Sequence, residues 1–147
     1  MFMKRKTILV TGGLGFIGSN LVLHLIKLNY FVIILDKKTY SSNLMNLKDI
    51  NKNQFKLIFS DINNKSKISK ILKYYNPIAI FNLAAETHVD RSIDDPEIFV
   101  KSNVNGVLIL LEQLKKYRKL NPNIKFLHVS TDEVYGDIPK KKTSLET

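Results

Sequence analysis

A glycine-rich segment near the start of the chain, Thr11-Gly-Gly-Leu-Gly-Phe-Ile-Gly18, constrains the fold more than any other feature. It joins an apolar run with the composition of a buried strand, residues 7–11, to a segment whose leucines recur at helical spacing. Its glycines fit the spacing of a dinucleotide-binding loop, which requires this strand–turn–helix context. Glycine permits a positive φ and a close approach to the backbone, and the following helix offers free N–H groups. The segment therefore predicts a phosphate-binding turn over residues 12–18.

Short β-rich runs alternate with helical segments over the rest of the chain. The further predicted strands are residues 31–36, 55–60, 78–83 and 125–130, and a short helix is predicted over 66–75. A second helix is predicted to start at Asp94-Asp95-Pro96-Glu97, with an acidic cap and Glu97 reaching back, and to run to about residue 119. Positions 99, 103, 106, 110 and 114 share one stripe of it. Because continuous apolar strands alternate with helices, we predict an α/β fold. This fold is a doubly wound (Rossmann) parallel sheet in the order 3-2-1-4-5.

Composition narrows the class of protein. A chain of 147 residues fits one domain, residues 1–147, with no second domain. No long apolar run or cleavage site is present, so we expect a cytoplasmic protein with no membrane partner. The chain has no cysteine and three scattered histidines, so no metal site is expected. The net charge is +10, but only 3 of the 23 basic residues are arginine, the residue that reads bases best, so no nucleic-acid partner is expected.

An acidic residue, Asp36, ends the second predicted strand, 21 residues beyond Gly15. A carboxylate at this place binds the adenosine ribose 2′-OH of NAD and repels a 2′-phosphate. Lys37 and Lys38 follow it and weaken this argument, so the sequence favours NAD without excluding NADP. Asp61 ends the third predicted strand, where it is either a partner for the adenine amine or a turn residue.

Polar side chains also follow the fourth and fifth predicted strands. After the fourth come two alanines, which leave room for a ligand, and then Glu86, Thr87 and His88. In the predicted order this strand adjoins the first, so its end flanks the glycine loop at the switch point, where ligands bind. Asp132 and Glu133 follow the fifth strand, and the chain must bend there for both to act on one ligand. The pair is either an acid and a base or a solvated turn, and His88 is either catalytic or structural.

These motifs resemble the extended short-chain dehydrogenase/reductase family and, within it, the dTDP-glucose 4,6-dehydratases. Besides the glycine loop, the matching strings are Asp36-Lys-Lys-Thr39-Tyr40, Leu83-Ala-Ala-Glu-Thr-His-Val-Asp-Arg-Ser-Ile93 and Ser130-Thr-Asp-Glu-Val-Tyr-Gly136. The last two strings are the more specific. Sugar-nucleotide epimerases usually lack the Thr-Asp-Glu run, and GDP-mannose 4,6-dehydratases usually have Ser-Glu in place of Asp132-Glu133.

The resemblance implies that the whole protein converts dTDP-glucose to dTDP-4-keto-6-deoxyglucose. Hydride passes from sugar C4 to NAD, water is eliminated across C5 and C6, and the hydride returns to C6. The implied catalytic residues are Thr131 at the C4 oxygen, Asp132 as the acid for the C6 hydroxyl and Glu133 as the base at C5. The implied contacts to the nucleotide-sugar substrate are Thr87, His88 and Thr131. The loop and the resemblance together give the expected cofactor-binding residues: Gly12, Gly15, Phe16, Ile17, Gly18, Asp36, Lys37, Lys38, Thr39, Asp61, Ile62, Leu83, Ala84, Ala85, Glu86, Thr87 and Ser102.

The sequence departs from the family pattern in one respect. The family needs a Tyr-x-x-x-Lys pair, and none of the 6 tyrosines is followed four positions later by lysine. We expect the pair, the last strands of the sheet and the substrate domain to lie beyond residue 147. The chain alone is then expected to be inactive, as the N-terminal part of a homodimeric parent. Two alternatives stay open: another NAD-dependent sugar-nucleotide epimerase, decarboxylase or dehydratase, and a catalytically silent nucleotide-binding module.

Overall fold

Five parallel strands form the sheet at the centre of the computed structural model, which describes residues 5–136 and residue 143. The strands are β1 (Thr7–Thr11), β2 (Phe31–Asp36), β3 (Phe55–Phe59), β4 (Ala79–Asn82) and β5 (Lys125–His128). They lie in the order β3-β2-β1-β4-β5, and every neighbouring pair is parallel. The predicted fold class and strand order are therefore confirmed.

The observed strands β3, β4 and β5 end one or two residues before the predicted ends at 60, 83 and 130. The difference is small because the backbone N–H groups of Ser60, Leu83 and Val129 still donate to the neighbouring strand, at 3.0, 3.2 and 3.1 Å. Beyond these bonds the chain turns away from the sheet. The polar residues after each strand consequently belong to loops at the carboxyl edge.

Helices connect the strands and cover the sheet. The elements are α1 (Phe16–Lys27), α2 (Lys65–Tyr75), α3 (Val89–Asp94), α4 (Pro96–Phe99), a π-helical segment (Val100–Gly106) and α5 (Val107–Arg118), with 3₁₀ turns at Leu44–Leu47 and Asp132–Tyr135. Asn64 caps α2 by accepting from the N–H of Lys67, and Asn76, in the left-handed conformation, ends it. The predicted helix over 66–75 is therefore confirmed to within one residue.

The single regular helix predicted from its start at residues 94–97 to about residue 119 is wrong in detail, because the π segment interrupts it. A π turn takes in one residue more than an α turn, so the side chains before it are rotated relative to those after it. The buried positions are consequently 102, 106, 110, 113 and 117, not the predicted stripe through 99 and 103. Asp95 is the N-cap of α4, but its side chain forms no capping hydrogen bond, and α3 was not predicted.

Two apolar clusters cover the two faces of the sheet. Alternate residues of β1 point to opposite faces, as in any strand: Leu9 packs toward α2 and α5, and Val10 packs toward α1. Gly106 lets the π segment approach the loop between β3 and α2, since a Cβ there would lie 2.5 Å from the Ile62 side chain. In this packed sheet, the carboxyl ends of all five strands lie at one edge.

Among the described residues, no helix has the length and apolar character needed to cross a bilayer.

Candidate active site

The glycine loop forms the tight turn that its sequence predicts, and its glycines do different work. Gly12 has φ +66°, and a Cβ there would lie 2.7 Å from the carbonyl oxygen of Leu83. A Cβ on Gly18 would lie 2.1 Å from the carbonyl oxygen of Gly12. At Gly15, the N-cap of α1, the nearest atom would be 3.4 Å away. Packing within the protein therefore requires Gly12 and Gly18, whereas the space over Gly15 is open to a ligand.

Asp36 is buried at the end of β2, where its carboxylate ties the glycine loop to the loop after β2. Its Oδ2 accepts from the N–H of Leu14 at 3.0 Å. Its Oδ1 accepts from the N–H of Lys38 and from the Ser42 hydroxyl, both at 2.8 Å. A carboxylate has about four acceptor positions, so capacity remains for a ligand hydroxyl. Asp36 thus shapes the site and still offers an acceptor to it.

A cleft opens at the carboxyl edge between the glycine loop, Asp36 and the ends of β3 and β4. The expected cofactor-binding residues that line it are Gly12, Gly15, Asp36, Lys37, Thr39, Asp61, Ile62, Leu83, Ala84, Ala85, Glu86 and Ser102. Sequence reasoning missed four further lining residues: Leu35, Ser41, Ser42 and Ser60. The polar run after Asp36 was the available signal for the two serines at 41 and 42. Most of the residues singled out separately in the sequence are thus brought together in one cleft.

Five of the expected cofactor-binding residues lie outside the wall of this cleft: Phe16, Ile17, Gly18, Lys38 and Thr87. The side chains of Phe16 and Ile17 project from the first turn of α1 and are 82% and 63% exposed. Gly18 is packed against the glycine loop, and Thr87 is exposed. These five residues do not line the cleft, so their roles stay predictions.

Asp61 is a turn residue, and its contact with the adenine amine stays a prediction. Its Oδ1 accepts from both the backbone N–H and the side-chain amide of Asn63, each at 2.8 Å. These bonds make it a turn residue between β3 and α2. It also lines the cleft, at the side where Asp36 ends the neighbouring strand.

A cluster of polar contacts crosses the cleft on the other side. The Lys37 Nζ lies 2.8 Å from Glu86 Oε1 and donates to the Ser102 hydroxyl at 3.0 Å. Asn103 Oδ1 accepts from the Glu86 N–H at 2.9 Å, and its Nδ2 donates to the Glu86 carbonyl at 2.8 Å. The sequence indicated Lys37, Glu86 and Ser102 separately, but it gave no sign of their contact. Asn103 was wrongly placed on the core stripe, because the π segment turns it to the Glu86 backbone.

A chain of polar contacts, buried at Thr11 and Asn82, links the carboxyl ends of β1, β4 and β5. The N–H of Ala84 donates to the Thr11 hydroxyl at 3.3 Å, and that hydroxyl donates to the Asn82 Oδ1. The amide Nδ2 of Asn82 in turn contacts His128 Nδ1 at 2.9 Å, so Nδ1 is the acceptor and the ring proton is assigned to Nε2. Asn82, a polar residue in an apolar run, was the only sequence signal for this network.

The segment after β5 bends as the acid–base alternative requires. Asp132–Tyr135 forms a 3₁₀ turn, in which one turn takes about three residues. Asp132 and Glu133 therefore do not point to opposite faces, as they would in a straight strand. A hydrogen bond from Thr131 and, secondarily, one from the Glu133 backbone N–H lower the pKa of Glu133 below its ordinary value of 4.5. This shift favours the carboxylate, which is the charge state of a base.

His88 lies at the N-cap of α3, and its imidazole is exposed. The ring packs edge-on against Tyr40 with the centroids 6.1 Å apart. The Arg91 guanidinium stacks over the same tyrosine, 3.8 Å from the ring centroid. The loop after β2 and the segment after β4 are thus in contact beside the cleft, and His88 has a packing role there.

A doubly wound parallel sheet, with a glycine turn at the switch point and an acidic residue after β2, defines the class of dinucleotide-binding proteins. The sequence model of the family described as GDP-mannose 4,6 dehydratase matches residues 9–147, and the chain belongs to that family. The resemblance to extended short-chain dehydrogenases/reductases that the motifs predict is therefore confirmed.

Individual relatives narrow the comparison. The chain is 45% identical over 139 residues to the dTDP-glucose 4,6-dehydratase of Salmonella typhimurium. This match covers 90% of this chain and 38% of the relative. A crystal structure of dTDP-glucose 4,6-dehydratase from Bacillus anthracis in complex with NAD has a TM-score of 0.80 and 40% identity, covering 96% of this chain and 42% of that one. A UDP-glucose 4-epimerase from Thermotoga maritima with UDP-glucose has a TM-score of 0.78 and 36% identity, covering 91% and 41%. The chain spans about two fifths of the length of these proteins.

Proposed function

We propose that this chain is the NAD-binding N-terminal part of an enzyme that dehydrates dTDP-glucose to dTDP-4-keto-6-deoxyglucose. The observation that carries the proposal is the Thr131-Asp132-Glu133 turn, which lies at the same edge of the sheet as the cleft beside the glycine loop. The names of the relatives support it, since the Salmonella and Bacillus proteins are both dTDP-glucose 4,6-dehydratases. The Thr-Asp-Glu run also favours this dehydratase over the epimerases and the GDP-mannose enzymes.

The features of the cleft fit NAD. The open space over Gly15, at the N-terminus of α1, suits the pyrophosphate, and Asp36 suits the hydroxyls of the adenosine ribose. When bound, NAD supplies a hydride acceptor for sugar C4 that later returns the hydride to C6. The Asp36 carboxylate repels a 2′-phosphate, which favours NAD over NADP.

The turn after β5 supplies the proton transfers in this proposal. Glu133, whose lowered pKa keeps it ionised, accepts the proton from sugar C5 and returns it to C5 when the hydride adds to C6. Asp132 gives a proton to the departing C6 hydroxyl, which leaves as water. The Thr131 hydroxyl orients the C4 oxygen. Transfers of this kind by positioned side chains typically accelerate a reaction by about 10²–10⁴-fold.

The product distinguishes the proposed function from its alternatives. The whole protein, given dTDP-glucose and NAD, is expected to release a 4-keto sugar nucleotide that has lost one molecule of water, as measured by mass spectrometry. An epimerised sugar of unchanged mass would contradict the proposal and support the alternative that the Thermotoga structure represents. NAD binding without any turnover of nucleotide sugars would support a silent module.

The expected homodimer stays a prediction, which the molar mass in solution tests.

Replacing Asp36 by alanine should weaken NAD binding by about 1–3 kcal/mol, the contribution of a hydrogen bond to a charged group. The measurement is NAD affinity by calorimetry on the whole protein. Ser42→Ala is the matched control, because it removes one internal hydrogen bond of Asp36 but keeps the carboxylate. Unchanged NAD affinity in Asp36→Ala would remove Asp36 from the site.

Replacing Thr131 by valine should raise the pKa of Glu133, because the hydrogen bond that contributes most to lowering it is lost. A base with a depressed pKa is ionised above that pKa and is lost as the pH falls through it. The acid limb of kcat/KM should therefore move to higher pH in Thr131→Val, and carboxyl NMR should show Glu133 titrating nearer 4.5. Thr131→Ser keeps the hydroxyl and should leave the limb in place. An equal shift in both variants would show that the hydroxyl is not the cause.

A further inference from the structure

Lys37 lies at a position where a cation would favour NADP over NAD. It directly follows Asp36, which faces the adenosine ribose in the proposed function, and it lines the same cleft. A basic side chain near the ribose accommodates the 2′-phosphate of NADP. In this structure, however, the Lys37 Nζ binds Glu86 Oε1 at 2.8 Å and the Ser102 hydroxyl at 3.0 Å. Two of the hydrogen-bond donors of this ammonium are therefore used within the protein.

Both partners of this ion pair are held in place by the π segment. The Glu86 side chain is 9% exposed, and its backbone N–H and carbonyl both bind the amide of Asn103. Ser102, the neighbour of Asn103, is buried and accepts from Lys37. Two adjacent residues of the π segment therefore hold the ion pair: Asn103 fixes Glu86, and Ser102 binds Lys37. Two flexible side chains on an open surface lack such support, and pairs of that kind contribute little.

We propose that Glu86 is a specificity-determining residue of the cofactor cleft, because it holds the Lys37 ammonium and withholds that cation from a 2′-phosphate. The inference rests on the proposed function, since it concerns the cofactor of the same cleft. With Lys37 paired, the charge left uncompensated beside the ribose is the Asp36 carboxylate, which repels NADP. Two further cations, Lys38 and Arg91, lie outside the wall of the cleft: the Lys38 Nζ is 6.0 Å from the ring centroid of Phe59, and the Arg91 guanidinium is 3.8 Å from that of Tyr40.

The test is the ratio of NADP⁺ to NAD⁺ affinity in the whole protein. Glu86→Gln keeps the shape of the side chain but removes its charge, which frees the Lys37 ammonium. We expect NADP⁺ to gain about 10- to 100-fold on NAD⁺ in this variant, the range for one hydrogen bond to a charged group. The matched control is Glu86→Gln combined with Lys37→Met, in which the gain should disappear because the cation is gone.

The outcomes separate this inference from the proposed function. If the wild-type protein binds neither cofactor, the proposed function fails. If it binds NAD⁺ but Glu86→Gln leaves the ratio unchanged, or if the double variant keeps the gain, only the role of Glu86 is overturned. Thermal unfolding shows whether Glu86→Gln is folded. Should it not fold, Ser102→Ala, which removes the second partner of Lys37, must raise the ratio, and an unchanged ratio there overturns the inference.

Discussion

Asp132→Asn and Glu133→Gln are each expected to slow the elimination of water by about 10²–10⁴-fold in the whole protein. The asparagine at position 132 cannot donate the proton that the departing hydroxyl requires. The glutamine at position 133 cannot accept the proton from C5. NAD affinity should stay close to that of the wild type, because both residues lie on the 3₁₀ turn after β5 and outside the wall of the cofactor cleft. The measurements are turnover of dTDP-glucose and NAD affinity on the same preparations.

Glu112→Gln is a suitable control for the loss of a surface carboxylate. Glu112 lies on α5, is about half exposed and pairs at 3.6 Å with Lys65 of α2. It should turn over at the wild-type rate. If both turn variants also matched the wild type, the roles of acid and base would have to be assigned elsewhere.

Gly18→Ala should destabilise the protein by at least about 1–3 kcal/mol, the usual cost of inserting a methyl group where no space exists. Its Cβ would lie 2.1 Å from the carbonyl oxygen of Gly12, a backbone atom that cannot move without opening the turn. Urea unfolding measures the free energy of unfolding. NAD binding should fall as well, because Gly12 and Gly15 of the same turn line the cleft.

Gly15→Ala is the matched comparison for this prediction. The nearest atom to its added Cβ would be 3.4 Å away, so the free energy of unfolding should change little. Its methyl group would instead enter the open space proposed for the pyrophosphate, so NAD affinity should fall. Equal destabilisation by both substitutions would show that the division of work between these glycines is incorrect.

Local patterns were enough to predict the sheet. Apolar runs, helical leucine spacing and the glycine turn are each encoded over a few residues, and the right-handed crossover rule then fixes the strand order. The π segment could not be predicted in this way. Its residues include two asparagines, a serine and a glycine, which lower helix propensity but do not specify a π turn. The additional residue is held by tertiary contacts of Lys101, Ser102 and Asn103 with three different loops.

The candidate site divides in the same manner. Gly15 and Asp36 were predicted because spacing along the chain determines their position relative to the first two strands. Lys37 and Glu86 are 49 positions apart, and only the folded chain shows that their charges meet. The sequence thus indicated most residues of the cleft but not the contacts among them.

The polar chain from Thr11 through Asn82 to His128 has a mechanical consequence. Thr11 immediately precedes the glycine loop, and His128 lies three positions before Thr131. These hydrogen bonds therefore connect the two halves of the proposed site, the glycine loop after β1 and the turn after β5. The two halves lie two strand spacings apart, about 10 Å. Backbone hydrogen bonds alone would let neighbouring strands shear slightly at their free ends, whereas cross-ties between side chains at those ends resist it. The sheet therefore holds the cofactor cleft and the proposed proton-transfer groups at a fixed distance before any ligand binds.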